Sequence, residues 1–297
     1  MPDVEFQSVT FHYPASPNHG EKPAAGSSPP IGPDGLGQTE VLQGLTLSIQ
    51  RGEFVAVIGA NGSGKTTFAR HINALLVPDS GKVLTVGLDT SDPQQLFVIR
   101  SHAGMVFQNP DTQMVANIVA DDVAFGPENL NILNPELSER VEQALAAVDM
   151  LGFLDANPAR LSGGERQRVS IAGILAMQPD ILILDEPAAM LDVRGRTAIR
   201  SIVDELNQKG MTVVLITHSM EDAILADRVI VIDRGRVALD GKPLDVFREY
   251  RLLDALGLDV PFTMQLIEAL KDYGISLSVS LDSDDLVDQI CNWFWNN

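Results

Sequence analysis

"EFVAVIGANGSGKTTFARHINALL", residues 53–76, passes from a continuous apolar run through a glycine-rich turn into a helical stretch. The apolar run reads as a buried strand, and the spacing predicts a helix over 66–76. Between them "GANGSGKTT", residues 59–67, satisfies G-x-x-x-x-G-K-[ST] in the strand–turn–helix setting that gives the pattern its meaning. Glycines let successive backbone N–H groups converge on phosphate oxygens, and the helix N-terminus adds its positive end. The candidate contacts are Gly59, Ala60, Asn61, Gly62, Ser63, Gly64, Lys65, Thr66 and Thr67. Lys65 is suited to bridge β- and γ-phosphates, and the Thr66 hydroxyl to ligate Mg2+. At average residue usage the pattern arises by chance about 0.01 times in a chain this long. A nucleotide site is expected.

"ILILDEP", residues 181–187, adds a second buried strand that ends in two carboxylates. Asp185 is placed to hold a Mg2+ shell, and Glu186 to orient or deprotonate an attacking water. Around these, "VLQGLTLSI" (41–49) alternates like a half-buried strand, and a strand is predicted at 104–107, its segment closing on Gln108. Helices are predicted at 135–150, 163–177 and 193–209, and strands at "TVVLIT" (212–217) and "RVIVID" (228–233). This alternation favours an α/β fold with a mainly parallel sheet covered by helices on both faces.

The bulk numbers narrow the function. The chain has 297 residues, 45% of them hydrophobic, enough for one large domain with an appendage. Acidic residues outnumber basic ones 40 to 21, a formal charge of −19, which argues against a nucleic-acid groove or adsorption to anionic lipid. Cys291 is the sole cysteine, so neither a disulfide framework nor a cysteine metal site is available. The five histidines show no HExxH spacing. "MPDVEFQSVTF" lacks a signal-peptide pattern, and no run approaches the roughly 18 apolar residues of a membrane-spanning helix. A soluble, cytosolic protein is expected, reaching any membrane through a partner.

"LSGGERQ", residues 161–167, places Ser162 as a helix N-cap with Gly163 and Gly164 open to an approaching anion. With the two motifs above, the chain here resembles the ATP-binding-cassette (ABC) ATPases from Val4 to about residue 240. The resemblance implies a P-loop core, a small antiparallel β subdomain and a helical subdomain carrying this signature. It also implies ATP and Mg2+ as cofactors, with Ser162, Gly163 and Gly164 serving the γ-phosphate held by the opposite subunit. Tyr13, in "FHYP", resembles the aromatic that stacks on adenine. Gln108 resembles the switch glutamine that reaches Mg2+ and water. "AMLD", 189–192, resembles the loop through which one subunit senses the other, with Asp192 its acidic member and Ala189 departing from the usual serine. His218, closing "VLITH", resembles the histidine that contacts the γ-phosphate.

"FQNPDTQMVANIVADDVAFGPEN", residues 107–129, is similar to the corresponding segment in ATPase subunits of energy-coupling-factor (ECF) importers, which take up vitamins and transition-metal ions. There it borders the groove that receives arginine-bearing coupling helices of a membrane subunit. Asp121, Asp122 and Glu128 are candidate docking carboxylates, since arginine–carboxylate pairs are strong and directional. Solvated carboxylates or a helix cap remain the ordinary alternative, and Val119, Val123 and Phe125 are expected to pack on the body. The resemblance implies a second ABC ATPase, itself or a paralogue, a transmembrane coupling subunit and a substrate-binding membrane subunit as partners. It implies a peripheral location on the cytoplasmic face of the cell membrane. Another importer's ATPase or a soluble ABC ATPase stand as alternatives.

Two segments fall outside the motifs. Residues 15–38 are more than half Pro, Gly or Ser and read as a flexible loop inside a 1–240 nucleotide-binding domain. After "DGKP", residues 241–297 read as a small α+β extension for dimerisation or regulation. Helices are expected at 243–256 and 261–273, then a strand at "ISLSV" (275–279). A last helix is expected to be capped by Ser283 and to carry Leu286, Ile290, Trp293 and Phe294 on one face.

Overall fold

The computed structural model describes residues 1–14, 39–189 and 191–296; the loop expected at 15–38 lies outside them. In chain order the strands are β1 (Val4–Tyr13), β2 (Thr39–Ile49), β3 (Phe54–Ile58), β4 (Ser80–Thr85), β5 (Leu88–Asp89), β6 (Ala103–Val106), β7 (Ile181–Asp185), β8 (Thr212–Ile216), β9 (Arg228–Asp233) and β10 (Arg236–Gly241). They form two sheets. An antiparallel one runs β2-β1-β4-β5, and a six-stranded one runs β10-β9-β3-β8-β7-β6, parallel except for the β9–β10 edge pair.

Strands β3, β6, β7 and β8 are buried along their whole length, as continuous apolar runs in a covered parallel sheet should be. Alternate side chains of β3 divide between two cores. Val55 and Val57 join Phe6, Phe68 and Ile72 between the sheets, whereas Phe54, Ala56 and Ile58 face the helical side. On that side helices Val119–Asn129, Glu136–Ala147 and Gly163–Leu175 pack on one another and on the sheet.

Several elements depart from expectation. The first helix, Lys65–Ile72, stops short of 76 because the chain turns at Asn73 and enters left-handed space at Ala74 (φ 55°). β6 ends at Val106, so Gln108 sits two residues into a loop rather than in the strand. The helix expected at 243–256 is two, Pro243–Arg248 and Tyr250–Ala255, broken at Glu249. Phe247 and Leu253 are both fully buried; on one straight helix, residues six apart point about 120° from each other. The break turns both inward. Residues 275–279 form no strand: the Ser278 N–H donates to Gln289 Oε1 of the last helix (2.7 Å) instead of to a neighbouring strand. That helix, Ser283–Asn296, is capped by Asp282, whose carboxylate takes the Asp284 N–H (2.8 Å), and not by Ser283. Of its expected face only Leu286 is buried, and Phe294 is exposed.

Candidate functional site

Parallel register brings the motifs to one edge. Val57 pairs with Ile216, and Val106 with Leu184. Two residues beyond each pair come Gly59 with His218, and Gln108 with Glu186, all past the C-terminal ends of adjacent strands. That edge is where open α/β sheets bind ligands. Gln108, Glu186 and His218 line, with Tyr13 and the Asn61–Thr67 part of the glycine-rich turn, a cleft of about 640 Å3.

The turn is shaped for an anion. A Cβ at Gly59 would lie 2.3 Å from Ile232 O, and one at Gly64 (φ 109°) would lie 2.9 Å from Val41 O, so both places demand glycine. Helix Lys65–Ile72 begins with no side-chain cap and no acidic residue in its first turn, leaving its N–H groups to a ligand. Ser63 Oγ is buried without a hydrogen-bond partner, a polar atom left for a bound group. Lys65 Nζ donates to the carbonyls of Gly59 (2.8 Å) and Ala60 (3.0 Å), folded over the loop. Burial pushes its pKa down, against the pull of Glu186 and Asp185. At the rim, the Tyr13 hydroxyl lies 3.3 Å from Thr67 Oγ1 and its ring meets Phe11 edge-on.

Across from the loop, Thr66 Oγ1 donates to Asp185 Oδ1 (3.2 Å). Glu186 follows in left-handed conformation (φ 50°), its N–H donating to Ile216 O (3.0 Å). Its two carboxylate oxygens have different partners: Gln108 Nε2 donates to Oε2 (2.9 Å), and His218 Nε2 lies 2.8 Å from Oε1. The Thr66 hydroxyl, Asp185 carboxylate and Gln108 amide form an all-oxygen donor set, which fits a hard cation such as Mg2+ that shares its shell with phosphates and water.

Ser162, Gly163, Gly164 and Asp192 are elsewhere. They line a second cleft, of about 490 Å3, that shares no residue with the first. Ser162 and Glu165 form a reciprocal capping box, with Ser162 N–H donating to Glu165 Oε2 (2.7 Å) and Glu165 N–H to Ser162 Oγ (3.3 Å). The Ser162 hydroxyl, donating to Glu165 Oε2 (2.7 Å), and then the Ser162 N–H hold the Glu165 carboxyl below its ordinary pKa. Asp192 caps helix Val193–Gln208 through the Gly195 N–H (2.8 Å). Neither signature glycine is needed by the chain itself: a Cβ would meet nothing within 4 Å at Gly163, and only Leu191 Cδ2 at 3.6 Å at Gly164.

The family model described as ABC transporter matches residues 42–189. The energy-coupling factor transporter ATP-binding protein EcfA1 of Caldanaerobacter subterraneus subsp. tengcongensis is 48% identical over 97% of this chain and 98% of its own length. The chain belongs to the ATP-binding proteins of energy-coupling factor transporters. It is an ABC ATPase, whose ATP hydrolysis is coupled to transport. Among solved structures, cbiO1 from Clostridium perfringens, part of the ABC transporter complex cbiONQ, superimposes with a TM-score of 0.71 at 32% identity, over 90% of this chain and 99% of that one. The ATP-binding cassette MJ0796, a dimer bound to ADP and Pi, matches at TM-score 0.67 and 29% identity over 81% of this chain and 98% of its own. No helix among the described residues of this ABC ATPase is long and apolar enough to cross a membrane.

The acidic segment divides its three carboxylates. Asp121 and Glu128 are exposed on helix Val119–Asn129. Asp122 is buried, and its Oδ1 accepts the N–H groups of Val115 (2.6 Å) and Ala116 (2.9 Å). Ile118, not an acidic residue, is the N-cap, so the pair is no helix cap. Val119 and Val123 are fully buried as expected, but Phe125 is 51% exposed. With Phe97 and Val115, also exposed, it borders a groove of about 610 Å3.

Motif reading passed over Gln113. It braces the loop before Gln108, accepting from the Phe107 N–H (2.9 Å) and donating to Met105 O (3.3 Å). It also passed over Asp111, ion-paired to Arg166 of the signature helix at 2.7 Å. Neither has a sequence signal, since both act through contacts only the fold creates.

Asp185 yields a prediction. Burial raises its pKa, partly offset by the Thr66 hydrogen bond, with nearby Glu186 adding to the rise. A carboxyl whose folded-state pKa exceeds its unfolded value favours folding when protonated and opposes it when ionised. The penalty is therefore present at neutral pH and vanishes below the unfolded-state value. Asp185→Asn should raise the melting temperature of the nucleotide-free chain at neutral pH, and the gain should shrink as pH falls through the folded pKa towards the ordinary carboxylate range. A gain that is constant with pH would contradict this.

Proposed function

We propose that the first cleft binds ATP with Mg2+, that Glu186 activates the attacking water, and that the chain powers an ECF-type importer of a vitamin or transition-metal ion. The observation that carries this reading is the Glu186 carboxylate spanned by Gln108 and His218 opposite Lys65 and the phosphate loop. Gln108 donates through Nε2, which keeps its Oε1 as an acceptor for a cation. Thr66, Asp185 and Gln108 would hold Mg2+, which when bound neutralises charge on the phosphates. Lys65 donates to the β- and γ-phosphate oxygens after leaving the Gly59 and Ala60 carbonyls. Glu186 takes a proton from water, and His218 on the other side donates to the γ-phosphate. Tyr13 offers its ring to the base.

Ser162, Gly163, Gly164 and Asp192 act on the nucleotide of a second ATPase, a copy of this chain or a paralogue. The coupling helices of a membrane subunit fit the groove beside Phe125; Asp121 and Glu128, exposed on the same helix outside the groove's lining, are offered to arginines, while Asp122 lines the groove and shapes the loop. Residues 1–240 are the nucleotide-binding domain and 241–297 an extension that aids pairing. The extension rests on the body through Phe247, Leu253 and Met264, all buried in the same core as the sheet. The assembly lies on the cytoplasmic face of the cell membrane.

The test is reconstitution. The chain should co-purify with its membrane subunits and with a bound small molecule that identifies the cargo. Liposomes containing that complex should accumulate the cargo only with hydrolysable ATP. Equal uptake with a non-hydrolysable analogue would overturn the reading.

A further inference from the structure

His218 is exposed in the turn after β8, between buried Thr217 and half-buried Ser219. A hollow of about 330 Å3 borders the turn, lined by Thr217, His218 and Ser219 together with Glu186, Arg196 and Asp222. Asp222 also lines a neighbouring hollow of about 280 Å3, with Arg196, Arg200 and Asp204 as its other charged residues. Asp222 is 8% exposed, and its Oδ1 accepts from Arg200 Nε. Arg200 Nη2 also donates to Glu221 Oε2 (3.0 Å). Asp222 Oδ2 faces Thr217 Oγ1 at 3.5 Å. Thr217 Oγ1 in turn accepts the Ser219 N–H at 2.9 Å, closing the turn directly over His218. Ser219 Oγ takes the Asp222 N–H at 3.3 Å. A continuous set of directional bonds thus runs from Arg200 to the residues on either side of His218.

Arg200 belongs to helix Val193–Gln208, whose N-cap is Asp192 in the second cleft. The strut therefore ties the His218 turn to the helix that starts where the second subunit is expected. His218 itself is exposed and borders a hollow, so packing alone does not fix the imidazole against Glu186. Directional bonds do.

We propose that Arg200 and Asp222 are positioning residues for hydrolysis, which through Thr217 hold His218 Nε2 on the Glu186 carboxylate. Neither touches the cleft that holds the nucleotide. The inference rests on the catalytic roles proposed above for Glu186 and His218.

Removing a buried ion pair together, in favour of apolar side chains of similar size, is commonly neutral or stabilising. That separates positioning from mere adhesion. In the purified complex, Arg200→Met with Asp222→Leu should melt no lower than wild type, yet lose about tenfold or more in kcat with KM for ATP within about twofold, the size of an orientation defect. Thr217→Val keeps shape and removes only the hydroxyl, so it should show the same split. Arg200→Lys, which keeps the charge, should recover part of the rate lost by Arg200→Met. Wild-type kcat in both the double variant and Thr217→Val would overturn the proposal, as would a loss carried by KM. Glu186→Gln belongs in the same series. If it keeps normal turnover, the catalytic reading falls and this inference with it. If it loses turnover while Thr217→Val and the double variant do not, only the positioning role falls.

Discussion

Glu186→Gln should bind ATP with Mg2+ about as well as wild type and lose at least about a hundredfold in turnover, the usual scale for a general base. The substitution is nearly isosteric, and the neighbouring contacts predict what survives. The proposed partners of the phosphates and the cation, Lys65, Thr66 and Asp185, are untouched. The carboxylate accepts from Gln108 at one oxygen and pairs with His218 at the other. An amide offers only one oxygen and presents a donor in place of the second, so it matches at most one of those partners as an acceptor. It also has no basicity to remove a proton from water. The closed, nucleotide-loaded dimer should therefore persist, measurable as retained ATP on a dimer-sized species. Near-normal turnover of the purified complex would remove Glu186 from its assigned role.

Legibility in the sequence followed the physics each residue serves. The glycine-rich turn was readable because no other residue fits: Ile232 O and Val41 O leave no room for a Cβ at Gly59 and Gly64. β3, β7 and β8 were readable because strands covered on both faces must be apolar throughout. The edge strands β5 and β10 were not. β10 alternates between exposed and half-buried residues, and β5 is two residues long, so neither carries a distinct pattern. The break at Glu249 has no proline or glycine to announce it and follows from where Phe247 and Leu253 must point. "ISLSV" alternates correctly for a strand, but strand identity needs a partner edge, and Gln289 supplies the bond instead. The acidic pair shows the same limit within a site. Adjacent in sequence, Asp121 and Asp122 differ entirely in burial because successive helix positions face about 100° apart. Arg200 and Asp222 are 22 residues apart, and only the return of β8 beside the helix makes them a pair.

Specific activity of the isolated chain should depend steeply on its concentration. The nucleotide cleft and the signature cleft share no lining residue, so one chain does not bring Ser162, Gly163 and Gly164 to its own ATP. Two features point outward from the second cleft. A Cβ would meet nothing within 4 Å at Gly163 and only Leu191 Cδ2 at 3.6 Å at Gly164, which leaves open the room these two glycines create. Helices Gly163–Leu175 and Val193–Gln208 both begin there, and their positive ends suit an anion supplied from outside. When most molecules are monomers, the dimer fraction rises in proportion to total concentration by mass action. A tenfold dilution in that range should then lower specific activity about tenfold. If the chain pairs only with a paralogue, it should stay inactive alone at every concentration and recover on adding that partner. Ser162→Arg supplies an internal control. The bulkier side chain at the helix start blocks the space beside Gly163 and should abolish activity at any concentration, while ATP binding to the chain's own cleft is retained. Activity that stays flat with concentration, where sedimentation shows only monomer, would mean that a single chain completes its own site and would sink the two-subunit reading.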